Sequence, residues 1–272
     1  MNRHTALRWT GYIAVAVVFA IACGFLSNWQ FTRDASRSTQ LRLIADNYDA
    51  DPVPLADLLP AGAELDPGDQ WRPVILEGEY LPGDQLLARN RAHGGTSAFE
   101  VLVPFRTADG RVFIVDRGWV APGADQPEPD EVPAAPAGTV EVVVRLKPGE
   151  PLPNSGRSAP DGQVPTIHLP LIAETLAGED VVTSAYGLLV SEDPAPATTP
   201  SALEAPSDDP GPHLSYAIQW ILFAVMGFVF IWYMIRTERR HRREDAEERA
   251  ARTVRRRDRD MQEEDALLDS AR

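Results

Sequence analysis

Hydrophobic positions along this chain fall into three patterns. Two runs, residues 9–26 (WTGYIAVAVVFAIACGFL) and 214–235, contain no Asp, Glu, Lys or Arg. As a helix rising about 1.5 Å per residue, the second run spans roughly 33 Å, enough for a bilayer core of about 30 Å. Between the two lie short β-rich runs at 72–80, 85–90, 99–106, 111–120, 139–146 and 181–190. Turn signals separate several of them: Pro82-Gly83-Asp84, His93-Gly94-Gly95 and Asp109-Gly110. Asp109-Gly110 stands between two apolar runs and predicts a hairpin. Strands at this spacing predict an antiparallel sheet or a partly closed barrel. Short helices are expected at 36–48 and 169–176. Residues 121–138 and 192–212, rich in Pro, Ala and acid, read as loops. The last stretch, 237–272, mixes Arg and Glu without an apolar stripe and predicts a solvated charged helix.

The expected fold class is therefore a membrane protein, with two transmembrane α-helices flanking an exported, mostly antiparallel β (barrel-like or α+β) domain. Its divisions are a cytoplasmic N-terminus at 1–8, a first span at 9–26, the exported domain at 27–212, a second span at 213–235 and a charged cytoplasmic tail at 236–272. Orientation comes from charge. Arg236, Arg239, Arg240, Arg242 and Arg243 follow the second span, and Arg3 and Arg8 precede the first. Basic residues flanking a span favour the cytoplasmic side, so both termini are placed inside and the middle outside. A cleaved signal peptide and a lipidated Cys23 are competing readings of the first run.

Charge and composition narrow the function classes. The net charge is −14, and residues 27–212 hold 12 Lys/Arg against 29 Asp/Glu. An acidic surface of this kind argues against nucleic acid as a partner. Cys23 is the single cysteine and lies in an apolar run, so neither a disulfide framework nor a thiolate zinc site is expected. No phosphate loop, dinucleotide fingerprint, HExxH or GxSxG motif occurs, and the histidines show no metal-ligand spacing. No enzymatic activity is expected.

The polar residues that stand out flank the spans or end strands. His213 opens the second span, with Tyr216, Gln219 and Trp220 at i,i+3 and i,i+4 steps on one broad face. An amide in lipid is costly, so Gln219 is expected to face another helix or a ligand. Trp29 fits an interfacial belt, and Gln30 and Arg33 taken alone read as a solvated extension of the first helix. Arg117-Gly118-Trp119 and Arg89 end strands, and Gly78 interrupts another. Glycines there allow close backbone approach, and the arginines are expected to pair with acids.

In chain order these pieces resemble the Surfeit locus protein one family of cytochrome oxidase assembly factors, in a bacterial form. The resemblance runs through Trp29-Gln30 with Arg33, Gly78-Glu79-Tyr80, Arg89, residues 99–105 (FEVLVPF), Asp116-Arg117-Gly118-Trp119, Pro212-His213, Tyr216-Ala217 and Gln219-Trp220. Ser27 stands where the family usually has Gly, and Asp116 where it often has Asn. The resemblance implies assembly of an aa3-type cytochrome c oxidase, by binding or delivering haem a to the haem-bearing oxidase subunit. It implies oxidase subunits and the membrane as partners. By motif position it makes His213 the haem-iron ligand, with Tyr216, Gln219 and Trp220 around it and Arg33 facing a propionate. Two rival functions stand beside it. One is a structural accessory protein that docks on oxidase subunits without a cofactor, and the other is an exported sensor whose tail signals inside.

Overall fold

A computed structural model describes residues 3–93, 95–153, 156 and 158–270. The middle glycine of the expected 93–95 turn and the extreme ends of the chain lie outside the described residues. In chain order the elements are α1 (Arg3–Asn47), β1 (Val53–Pro54), α2 (Leu55–Leu58), β2 (Pro73–Tyr80), β3 (Leu86–His93), β4 (Thr96–Thr107), β5 (Val112–Val120), β6 (Thr139–Lys147), β7 (Gln163–Val164), α3 (Leu169–Thr175), β8 (Tyr186–Asp193) and α4 (His213–Ser270). They form two compact units, one of residues 38–209 and one of residues 1–37 with 210–272.

The first of these is built on a five-stranded barrel. β2 pairs antiparallel with β6, β6 with β8, β5 with β4, and β4 again with β2, while β5 and β8 pair in parallel. That circuit closes the sheet. β3 continues it beyond β4, with the two-residue β7 along its edge, and β1 pairs with β2. The period of two along each strand decides what fills the interior. Val74 and Leu76, Val101, Val103 and Phe105, Phe113 and Val115, and Val140, Val142, Val144 and Leu146 gather in one buried cluster with Leu55 and Leu59. The opposite faces of β4 and β5 are covered too. Leu102, Val112 and Ile114 pack with Ile167 and with Leu169 and Ile172 of α3. Burial on both faces is why β4 and β5 read as continuous apolar runs whereas β6 alternates. Truncating Phe105, which is fully buried, to Ala would cost about 3–5 kcal/mol.

Turn chemistry follows the sequence. The Thr107 amide donates to the Arg111 carbonyl and the Gly110 amide to the Thr107 carbonyl, closing the hairpin expected at Asp109-Gly110. Gly110 has φ +89°, a conformation that a β-carbon disfavours.

Three local expectations change. The short helix expected at 36–48 is the end of α1, which runs unbroken to Asn47 because nothing between the apolar run and Asn47 breaks it. Its last residue is tied down by the Asn47 side-chain amide, which donates to the carbonyls of Gly68 and Gln70. β3 does not stop at Asn90: a bulge between Ala88 and Arg91, with Asn90 at φ +59°, carries the strand on to His93. The strand expected at 181–190 begins only at Tyr186, since Val181 makes a single bridge to Val112, and it continues through Glu192 and Asp193 opposite β6.

The other unit is a helix pair. α1 and α4 run antiparallel, as three spaced contacts establish. The Ser27 hydroxyl donates to the Ala217 carbonyl at 2.9 Å, a β-carbon on Gly227 would lie 3.4 Å from the Phe19 ring, and Arg8 reaches Glu238 at 3.1 Å. On α1 the covered positions Ala16, Ala20, Cys23, Ser27 and Gln30 alternate steps of four and three. On α4 the same spacing runs through His213, Ala217, Trp220, Ala224 and Gly227. Small residues dominate both stripes, which lets two backbones approach where hydrophobic burial supplies no drive. Both helices are long and apolar enough to cross a membrane, over Leu7–Asn47 and His213–Arg259.

Candidate functional site

His213 is the first residue of α4, and its half-buried imidazole faces α1. Nδ1 lies 3.0 Å from Oε1 of Gln30. Both residues occupy the seam of their helices, one turn beyond the Ser27–Ala217 hydrogen bond. The antiparallel pairing therefore carries an imidazole and an amide, 183 positions apart, to the same level.

The other predicted site residues are placed less centrally. Trp220 is partly covered and meets Phe223 edge-on at 5.8 Å. Tyr216 is 47% exposed, so its ring is on the outer flank of α4. Gln219 is also exposed, with no partner among the described residues, and the buried position beside it is Ala217. Helical spacing put His213, Tyr216, Gln219 and Trp220 on one face, but the seam lies along the His213–Ala217–Trp220 edge of it. Arg33 stacks its guanidinium 5.6 Å over the Trp29 ring of the preceding turn, a cation held by an aromatic at the helix surface. Gln30, read as solvated from sequence, is the residue that spacing missed. The signal was available: Cys23, Ser27 and Gln30 follow one another at steps of four and three.

In the barrel the Arg117-Gly118-Trp119 segment is a structural junction. Arg117 has a fully buried side chain. Its Nε donates to Glu192 Oε1 at 2.7 Å and its Nη2 to Glu192 Oε2 at 3.0 Å, while Nη1 donates to the Pro133 carbonyl. The Tyr80 hydroxyl adds a 2.6 Å hydrogen bond to Glu192, and burial first, then the Glu192 charge, pushes its pKa up. Gly118 has φ +122°, and a β-carbon there would lie 2.3 Å from the Ser201 carbonyl oxygen. Trp119 and Ser201 exchange backbone hydrogen bonds, and the Trp119 ring stacks on His93 at 5.4 Å.

Alternation sends Asp116 to the opposite side from Arg117, into a second charged cluster. Arg91 lies 2.6 Å from Glu100 and 2.7 Å from Glu150, and Glu100 also meets His93 at 3.0 Å. Asp116 is buried. Its Oδ1 accepts the Gly118 amide, and its Oδ2 has no hydrogen-bond partner among the described residues. Burial, reinforced by the Glu100 charge, holds its pKa well above the usual carboxylate range. Glu150 goes the other way. Burial pushes its pKa up, but hydrogen bonds from Arg91 and Thr166 outweigh that and hold it below its ordinary value. No group of three or more His, Cys, Asp or Glu able to hold a metal ion occurs among the described residues. One ring nitrogen is hydrogen-bonded in each of His93, His168 and His213, and a single imidazole of this kind could hold a haem iron through its other nitrogen.

Comparison with known proteins agrees with this architecture. The SURF1 family model matches residues 17–225, from inside the first apolar helix to inside the second. SURF1-like proteins of Mycobacterium bovis and Mycobacterium tuberculosis are each 36% identical to this chain over 241 residues, covering 87% of either sequence. With the family model over most of the chain, two membrane-compatible helices and the strand-rich barrel between them, the chain belongs to the SURF1 family, a family associated with cytochrome oxidase assembly.

Proposed function

We propose that this protein assists the assembly of an aa3-type cytochrome c oxidase by holding haem a at His213 and passing it to the haem-bearing oxidase subunit. Haem a is cargo in this reading, and the protein is not an oxidoreductase. The observation that carries the proposal is the His213–Gln30 pair, where α4 begins alongside α1 and the two membrane-compatible helices run antiparallel. A neutral imidazole ligates haem iron, and a single protein ligand leaves the cargo exchangeable. The aromatic flank of α4, with the exposed Tyr216 and the partly covered Trp220, offers an apolar surface to a porphyrin face. Arg33 supplies a cation for a propionate and Gln219 a hydrogen-bonding amide. Oxidase subunits are the partners, and the barrel is the part of the chain large enough to dock on them outside the membrane.

The orientation belongs to the same proposal. Arg236, Arg239, Arg240, Arg242 and Arg243 follow the apolar part of α4, and Arg8 precedes that of α1 at the same end of the helix pair. Both termini then lie in the cytoplasm and residues 27–212 outside.

Purification of the full chain from cells that make haem a tests the reading. A Soret band that survives detergent washing, and is lost in His213→Ala at normal membrane abundance, is expected. A colourless wild-type protein that still restores oxidase assembly would favour a cofactor-free docking role.

A further inference from the structure

We propose that Gln30 and Gly211 prepare His213 as a ligand, Gln30 by fixing the imidazole as the Nδ1–H tautomer and Gly211 by leaving the Nε2 edge of the ring approachable. This rests on the proposed role of His213 as a haem-iron ligand and says which atom ligates and what sets its strength.

The first half follows from donor and acceptor chemistry. Gln30 presents Oε1 to His213 Nδ1 at 3.0 Å. With the amide presenting this oxygen, which only accepts, the proton of the neutral ring sits on Nδ1 and the lone pair on Nε2. An acceptor on Nδ1–H also raises electron density at the other nitrogen, which makes it a stronger ligand for ferric iron. The bond holds the ring as well as its proton. With Nδ1 tied to α1, rotation of the ring about its bond to the helix would break the contact, so Nε2 keeps one direction.

The second half follows from space. Gly211 has φ +72°, and a β-carbon built on it would lie 3.7 Å from His213 Nε2 and 3.6 Å from Cδ2. A methyl group there would be in van der Waals contact with the ring edge that must meet the iron. Pro212, fixed in φ, follows and leads directly into α4. The Gly-Pro-His entry therefore brings the chain to the helix with no side chain at 211 against the ring edge, and a larger residue there would be strained and would contact that edge.

Titration of ferric protohaem into the full-length protein in detergent, followed by the Soret band and by spectroelectrochemical reduction, tests the proposal. Gln30→Leu removes the acceptor and is expected to weaken binding ten- to hundredfold and to raise the reduction potential. Gln30→Glu keeps an acceptor and is expected to bind haem while lowering the potential below wild type, an effect that a purely structural role for Gln30 would not produce. Gly211→Ala is expected to weaken binding with little change in potential, because it crowds the ring edge without touching its electronics. Membrane abundance of each variant reports folding separately. If Gln30→Leu matches wild type in affinity and potential while His213→Ala has lost haem, Gln30 is not a positioning residue and His213 remains the ligand. If His213→Ala binds as tightly as wild type, the ligand lies elsewhere and both readings fall together.

Discussion

Arg117 and Glu192, 75 positions apart, meet as a two-pronged ion pair whose side chains are 0% and 2% exposed. Removing either partner leaves a charge in the low-dielectric end of the barrel. Glu192→Gln is therefore expected to destabilise the protein by about 3–5 kcal/mol. Replacing both, as Arg117→Met with Glu192→Leu, should cost less than either single change, because no uncompensated charge remains. Thermal unfolding of the detergent-solubilised chain measures both. A double variant no better than the singles would show that geometry rather than charge balance dominates there.

Gly118→Glu places a β-carbon against the Ser201 carbonyl and asks an L-residue to adopt φ +122°. The expected cost is about 3 kcal/mol or more, and depletion from the membrane is the readout. Normal abundance accompanied by loss of oxidase activity would instead assign this junction to a docking surface.

Asp116 should make stability fall as pH rises. Its folded pKa is raised, by burial and by the Glu100 charge, with Arg91, Glu150 and Tyr186 also facing it. A raised pKa means that its contribution is full below the ordinary Asp value of about 3.9 and is lost as pH climbs through the folded value. Asp116→Asn removes the titration. Unfolding midpoints of wild type and Asp116→Asn should separate progressively as pH rises above the ordinary Asp value of about 3.9, with the variant ahead. Parallel profiles would mean that the carboxyl finds a proton donor or a charge partner.

A reporter that is active only outside the cytoplasm, fused after Gly123 in the 121–138 loop, is expected to be active. Activity of a cytoplasm-only reporter at that site would reverse the orientation drawn from the arginines.

The barrel strands were legible because alternation and turn residues are local properties. The Asp109-Gly110 hairpin and the inward faces of β2 and β6 follow from them directly. Glu192 was not legible. It opens a Pro- and Ala-rich acidic stretch and reads as loop, yet pairing with β6 carries β8 past it and holds its carboxylate within reach of Arg117. The site divides in the same way. His213 stands out as an imidazole at the start of an apolar helix. Its partner does not, because the edge of α1 that meets α4 depends on where the second helix packs. The stripe of small residues holds that information only when both helices are compared.

The position of β8 sets an order of events during synthesis. β8 lies between β5 and β6, although both were made earlier, so the barrel stays open until Tyr186–Asp193 has emerged. Until then the Arg117 side chain has no counter-ion and the edges of β5 and β6 have no neighbour. The strand that closes the barrel and the carboxylate that neutralises its end arrive together, from a segment only about twenty residues ahead of the second apolar helix. Barrel closure and the emergence of α4 therefore follow each other closely along the chain. A nascent chain halted before residue 186 would hold an unclosed sheet in which Arg117 still lacks the carboxylate of Glu192.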